Sequence, residues 1–133
     1  IRRQRQMCIR DRFRYTSYAY GKVREYAASD EEFTRRAGFA LLATLAVGDK
    51  RASDDDFRAF LPLIERGAED SRVRIGKAVN WALRQIGKRS RGLYPDALAL
   101  ARRLAAKEGA AARRIGRDAV RELTLERIIA RIK

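Results

Sequence analysis

The sequence predicts an all-α fold, a right-handed α-α superhelix of stacked helix pairs, and two observations carry that prediction. The first is an internal repeat. RAGFALLATL begins at Arg36, RIGKAVNWAL at Arg74 and RIGRDAVREL at Arg114, each with Arg first, Gly two residues on and Leu nine residues on. The repeats start 38 residues (36 to 74) and 40 residues (74 to 114) apart. Each follows another helical segment, so the unit is a helix pair with the period of HEAT-like or armadillo-like arrays. The second observation is that no segment alternates as a strand, while helix caps recur along the chain. Glycine inside a helix costs roughly 1 kcal/mol against alanine. Its return in every repeat is read as close approach of the partner helix of the pair.

The elements follow in order. Residues 1–12, IRRQRQMCIRDR, lack helical periodicity and are set apart as an arm that is non-native or disordered. MCIRDR resembles a translated sequencing adapter, which would start the natural sequence near Phe13. Residues 13–133 are expected to form one HEAT-like repeat domain, a partial array. A short helix is expected over Tyr18–Ala28. Asp30-Glu31-Glu32 opens a second helix with acidic residues in its first turn, where the helix dipole favours them, and that helix ends near Gly48. Ser53-Asp54-Asp55-Asp56 is an N-cap signal for a third helix through Gly67, kinked at Pro62. Asp70-Ser71 is expected to cap a fourth, over Val73 to Arg89. Pro95-Asp96 starts a fifth running to about Lys107. Gly109 precedes a sixth, Ala110 to Leu123, and Thr124 is placed to cap a last one over Leu125–Ile132.

Composition narrows the chemistry. With 46% apolar and 36% charged residues over 133 positions, the chain has material for one folded domain with a real core. It has no histidine and one cysteine, Cys8. That excludes Ser-His and Cys-His nucleophilic pairs, the usual zinc sites and an internal disulfide, and it fits a reducing, cytoplasmic setting. No phosphate-cradling glycine motif, secretory signal or long apolar span is present. No metal, cofactor or membrane association is expected, and the domain is read as a monomer. The formal net charge is +14, from 31 Lys+Arg against 17 Asp+Glu. Residues 1–12 hold five of the arginines and one aspartate, so the basic balance does not depend on them. Such a charge suits a polyanion partner, nucleic acid first.

The fourth helix, VRIGKAVNWALRQIGKR, concentrates that charge around the only tryptophan, Trp81. At about 100° per residue, Arg74, Lys77, Trp81, Arg84 and Lys88 fall within an arc of about 80°, away from Ile75, Val79, Leu83 and Ile86. The repeat extends the arc. Arg36 and Arg114 take the Arg74 position, Arg117 the Lys77 position and Arg121 the Trp81 position, while Phe39 and Ala43 stand there in the first unit. Stacked second helices would therefore form one basic face. Glu65, Glu69, Asp118 and Glu122 are the acidic residues able to neutralise parts of it.

FTRRAGFALLATLAVGDK, FRAFLPLIERGAED, KAVNWALRQIGKRS and ARRIGRDAVRELT together resemble the DNA alkylation repair enzyme family, the AlkD-like HEAT-like-repeat DNA glycosylases, over about residues 13–125. KAVNWALRQIGKR is the most specific piece. The resemblance implies an all-helical protein gripping double-stranded DNA in a concave basic cleft and hydrolysing the N-glycosidic bond of N3- and N7-alkylpurines without taking the base into a pocket. It implies a sugar contact for Trp81 and a backbone contact for Arg36, second of the Arg35-Arg36 pair. An Asp stabilises the developing positive charge on deoxyribose in that family. The segment carrying it lies before the first repeat seen here and has no matching motif in residues 1–12, where Asp11 sits in an unrelated context. No catalytic carboxylate is assigned. The DNA-binding set is Arg36, Arg74, Lys77, Trp81, Arg84, Lys88, Arg114, Arg117 and Arg121. The reading is an N-terminally truncated alkylation-repair protein that binds duplex DNA. The alternative is a helical-repeat scaffold for an acidic protein partner, and a basic RNA-associated module is a third.

Overall fold

The computed structural model describes residues 17–133. The arm assigned to residues 1–12 lies outside them, as do residues 13–16. The described residues form eight helices and no strand: α1 Ser17–Ala27, α2 Glu32–Gly48, α3 Asp54–Arg58, α4 Leu61–Gly67, α5 Val73–Arg89, α6 Tyr94–Ala105, α7 Ala110–Leu123 and α8 Glu126–Ile129. They stack as helix pairs. α2 packs on α1 and α7 on α6, while α5 lies between α2 and α7. α2, α5 and α7 thus form one layer, and α1, α3–α4 and α6 the other, with the fully buried Phe39, Leu42, Ile64, Ile75, Leu83, Ile86, Leu100 and Leu104 between them. This is a helical-repeat superhelix, as the sequence period predicts. The period is also visible in the polar contacts. Arg58–Asp96, Asn80–Asp118, Arg84–Glu122, Arg103–Glu65 and Lys107–Glu69 each join residues 38 apart. Successive units are therefore stacked in register.

Local chemistry sets the boundaries. Glu31 caps α2, its carboxylate accepting from the amides of Phe33 and Thr34, which satisfies two of the orphan donors of the first turn. Those bonds, with the Thr34 hydroxyl foremost, hold the Glu31 carboxyl below its ordinary value. Ser53 and Asp56 close a reciprocal capping box at α3, as the Ser53-Asp54-Asp55-Asp56 run predicts. Pro95 stands in the first turn of α6, and α7 has the predicted bounds.

Four expectations are corrected. The segment from Asp54 to Gly67 is two helices and not one kinked helix. Pro62 sits in the first turn of α4, where its missing N–H has no helical partner to lose. The break lets both Phe57 and Phe60 reach Tyr20, at ring separations of 5.8 and 5.9 Å. Second, Asp70-Ser71 does not cap α5. Arg72 is the N-cap residue and provides no side-chain cap bond, while Asp70 takes the Arg72 amide and both Nε and Nη2 of its guanidinium. Third, Thr124 turns back onto α7, its hydroxyl donating to Val120 and Arg121 carbonyls. Leu125 precedes α8, which is a single turn.

The fourth concerns the repeated glycine. A Cβ on Gly38 would lie 2.6 Å from the Ala27 amide nitrogen, and one on Gly116 would lie 2.6 Å from the Ala101 carbonyl oxygen. Close approach of α1 and α6 explains those two. A Cβ on Gly76 would meet only Ile115 Cδ1, at 3.8 Å, an ordinary contact. The helices before α5 are short and broken, and none presses on Gly76.

Candidate nucleic-acid interface

α5 buries Ile75, Ala78, Val79, Ala82, Leu83, Ile86 and Gly87 and leaves Arg74, Lys77 and Trp81 exposed. α2 buries its own helical stripe, including Phe39 and Ala43. These two therefore leave the surface row that repeat alignment puts them in, and a Cβ on Gly67 would collide with the Phe39 ring. What α2 brings to the surface instead is Phe33, Arg36 and Ala40, spaced i, i+3 and i+7 on one helix face. Between the two helices these residues enclose a cleft of about 470 Å3, lined by Phe33, Arg36, Ala40, Arg74, Lys77, Ala78 and Trp81. No carboxylate lines it among the described residues.

The cleft is electrostatically one-sided. Arg36, Arg74 and Lys77 form no ion pair among the described residues. Arg74 is held by a ring, its guanidinium carbon 5.4 Å from the Phe33 centroid, an arrangement that positions the cation while leaving its charge uncompensated. Arg35 behaves differently. It points inward, with Nε 3.4 Å from Asp70 Oδ2. Asp70 is held below its ordinary value, first by the Arg72 hydrogen bond, against the opposing effect of burial. So the Arg35-Arg36 pair divides, one arginine stapling α2 to the start of α5 and the other opening into the cleft.

The remaining predicted residues lie further along the same layer. Lys77 also borders a smaller groove between α5 and α7, of about 160 Å3, with Arg114, Asn80 and Asp118 on its walls. Arg114 and Arg117 are exposed and without an ion pair among the described residues. Arg84 and Lys88 are engaged. Both bind Glu122, at 2.9 and 3.1 Å. Burial alone would raise the Glu122 carboxyl, but these two cations outweigh it and hold it below its ordinary value. Arg121 pairs with Asp118, which also accepts from Asn80 Nδ2. Of the other acids, Glu65 and Glu69 pair with Arg103 and Lys107 in the opposite layer and leave the row untouched. The structure thus brings Arg36, Arg74, Lys77 and Trp81 together, continues them to Arg114 and Arg117, and neutralises Arg84, Lys88 and Arg121. Phe33 is the residue that sequence reasoning missed. The signal was present, an aromatic three residues before Arg36 on the same helix face.

Residues 12–123 match the family described as DNA alkylation repair enzyme. The chain belongs to that family. Membership supports a role in DNA repair and agrees with the resemblance carried by the KAVNWALRQIGKR segment. No curated protein matches the chain, and no solved structure does. Within this family member, no described helix is long and apolar enough to cross a membrane. The described residues include no group of three or more Cys, Asp or Glu placed to hold a metal ion.

Proposed function

We propose that the chain binds duplex DNA in alkylation repair, as a HEAT-like array of the DNA glycosylase type that takes the DNA backbone on the layer of α2, α5 and α7. One observation supports this most. Arg36, Arg74 and Lys77 share a cleft with Trp81, and no carboxylate among the described residues compensates them there. Exposed cations held close together repel one another, and a line of phosphates relieves that repulsion while releasing counterions. Arginine supplies forked contacts to phosphate oxygens. The contacts would be to backbone and sugar, which position a duplex without reading its bases. Trp81, half-exposed beside Arg74, is placed to lie against a deoxyribose.

The chemistry of alkylpurine release fits such a surface in part. A glycosidic bond to a cationic base already has a good leaving group. What remains is to stabilise an oxocarbenium-like sugar, which a carboxylate does best and a π face can assist. Asp70 and Asp118, which line the neighbouring groove, and Glu122, which holds Arg84 and Lys88, are each engaged by cations. The reading is therefore DNA binding with little sequence preference and no base release by this chain alone.

The test is fluorescence anisotropy with a labelled duplex, together with a release assay on 7-methylguanine DNA. Arg36→Ala and Arg114→Ala should each weaken binding. Wild-type affinity in both variants would defeat the assignment of the face. Rapid release of 7-methylguanine would place a catalytic carboxylate somewhere other than in these three ion pairs.

A further inference from the structure

A second recess lies at the C-terminal ends of α2 and α5. Val47, Lys50, Lys88 and Arg89 surround it with Arg131 and Lys133, which follow α8, and its volume is about 460 Å3. From Lys77 in the DNA row to Lys88 is eleven residues of α5, about 16 Å at about 1.5 Å per residue, so the recess is a separate place. No aspartate or glutamate lines it among the described residues. Its cations have different duties. Arg89 is spent on structure, donating to the Ala46 and Ala52 carbonyls at 2.9 and 2.8 Å and lying 4.4 Å from the Phe57 centroid. Lys88 is shared with Glu122. Lys50, Arg131 and Lys133 are exposed and form no ion pair among the described residues. None of these three belongs to the row, and the last two lie beyond the residues 12–123 that match the family. They are nonetheless held in place. Ile132 between them is 5% exposed, and its carbonyl accepts from Arg91 Nε at 3.4 Å.

We propose that this recess is a second anion site, for a small anion with two or more phosphate groups, and that Lys50, Arg131 and Lys133 are its binding residues. The helix dipole is the ordinary reason for a cation at a helix C-terminus. It accounts for Arg89, which takes an α2 carbonyl. It does not account for the other three, whose side chains donate to no carbonyl among the described residues. Like charges gathered around a hollow raise the local potential and draw in a multiply charged anion. The cations also converge from three parts of the chain: the α2–α3 loop, the end of α5 and the residues after α8. The DNA row is built along successive helices, which suits a continuous backbone. Convergence on one hollow suits a small ligand, and the volume falls in the range of about 300–1,000 Å3 typical of such sites. Charge then sets the ligand. A single phosphate group carries at most about two negative charges near neutral pH, fewer than the three free cations, so two or more groups are needed to balance them.

Phosphate oxygens can come from a free anion or from DNA, and calorimetric titration of the whole chain with sodium tripolyphosphate, inorganic phosphate and a DNA duplex separates the two. Tripolyphosphate should bind more tightly than inorganic phosphate, and equal affinities would overturn the assignment of a ligand with several phosphate groups. Lys50→Ala, Arg131→Ala and Lys133→Ala combined should weaken tripolyphosphate about tenfold or more, the scale of losing one charge-assisted hydrogen bond. The same variant should leave duplex affinity and its salt slope unchanged. These side chains make no ion pair or hydrogen bond among the described residues, so the variant keeps the fold. Arg102→Ala, Arg103→Ala and Lys107→Ala combined remove the same charge from the opposite layer and should leave tripolyphosphate binding as it was. Equal losses in the two triple variants would reduce the recess to diffuse charge and overturn the site. Undiminished tripolyphosphate binding in the recess variant would overturn it too, by placing the anion elsewhere. A recess variant whose duplex salt slope shrinks, by about 0.9 for each cation, would make the recess a DNA contact and end its assignment to a small anion. A chain that binds tripolyphosphate here but no duplex would keep this site and sink the proposed function.

Discussion

Glu122 ties up two cations of the row, and on the proposed DNA-binding reading it limits how much of that row an incoming anion can use. Its carboxylate holds Arg84 and Lys88 at once, and all three side chains are partly exposed, at 24% for Glu122 against 30% and 25% for the cations. Solvent screening at that exposure keeps the contribution to stability small, at most about 1 kcal/mol for such a pair. The effect on binding should be larger. Glu122→Gln frees two cations, so duplex affinity should rise and its salt dependence should steepen by up to about 1.8 in slope. An unchanged slope would mean that Arg84 and Lys88 lie off the DNA path. The same carboxylate gives a pH signature. Glu122 and Asp70 both have folded-state values below their ordinary ones. A depressed folded value means the unfolded chain takes up protons first. The stabilisation is therefore complete above the ordinary carboxylate range and is lost as pH falls through the folded values. Urea midpoints should be flat at neutral pH and drop below about pH 4.5, the ordinary value for Glu122. Glu122→Gln should show a shallower drop.

At the level of elements, the repeated glycine separates two causes that sequence alone joins. Gly116 packs against the backbone of α6 and Gly38 against that of α1, whereas Gly76 has room. Gly116→Ala should be destabilising by about 2–3 kcal/mol or more, the scale of overpacking against an element that cannot yield. Gly76→Ala should be neutral or stabilising by up to about 1 kcal/mol, from helix propensity alone. Denaturant midpoints decide between them, and equal losses in the two variants would contradict the geometry. The boundaries tell a similar story about legibility. Ser53 with Asp56 was readable because capping is local, the partners lying three residues apart, and Pro95 because a first-turn proline acts through its own backbone. The break at Pro62 was not, because two buried rings, Phe57 and Phe60, reach back to Tyr20 from distant sequence. Asp70 was readable as acidic and not as a clamp, since Arg35 approaches it from another helix.

Across the whole molecule, the repeat made the fold legible and placed half of the residues of the proposed interface on one layer. A period near 40 residues places second helices side by side, and Arg36, Arg74 and Arg114 do lie on neighbouring helices of one layer. What the period could not show is which cations are already spent. That depends on acids one unit away, as Glu122 is from Arg84. Nor could it show Phe33, which lies before the aligned segment and is brought to the cleft by the pitch of α2. The resulting count yields a global prediction. Arg36, Arg74, Lys77, Arg114 and Arg117 are the exposed row residues without an ion pair among the described residues. If each meets one phosphate, the logarithm of duplex affinity should fall with the logarithm of salt at a slope of about −4.5, and losing one of them should lower its magnitude by about 0.9. Arg103 and Lys107 carry the same charge but lie in the opposite layer, bound to Glu65 and Glu69. Replacing them with alanine should leave the slope where it was. A net charge of +14 acting diffusely would make all of these substitutions alike, so the difference between the two layers is the measurement that distinguishes a DNA-binding face from a merely basic protein.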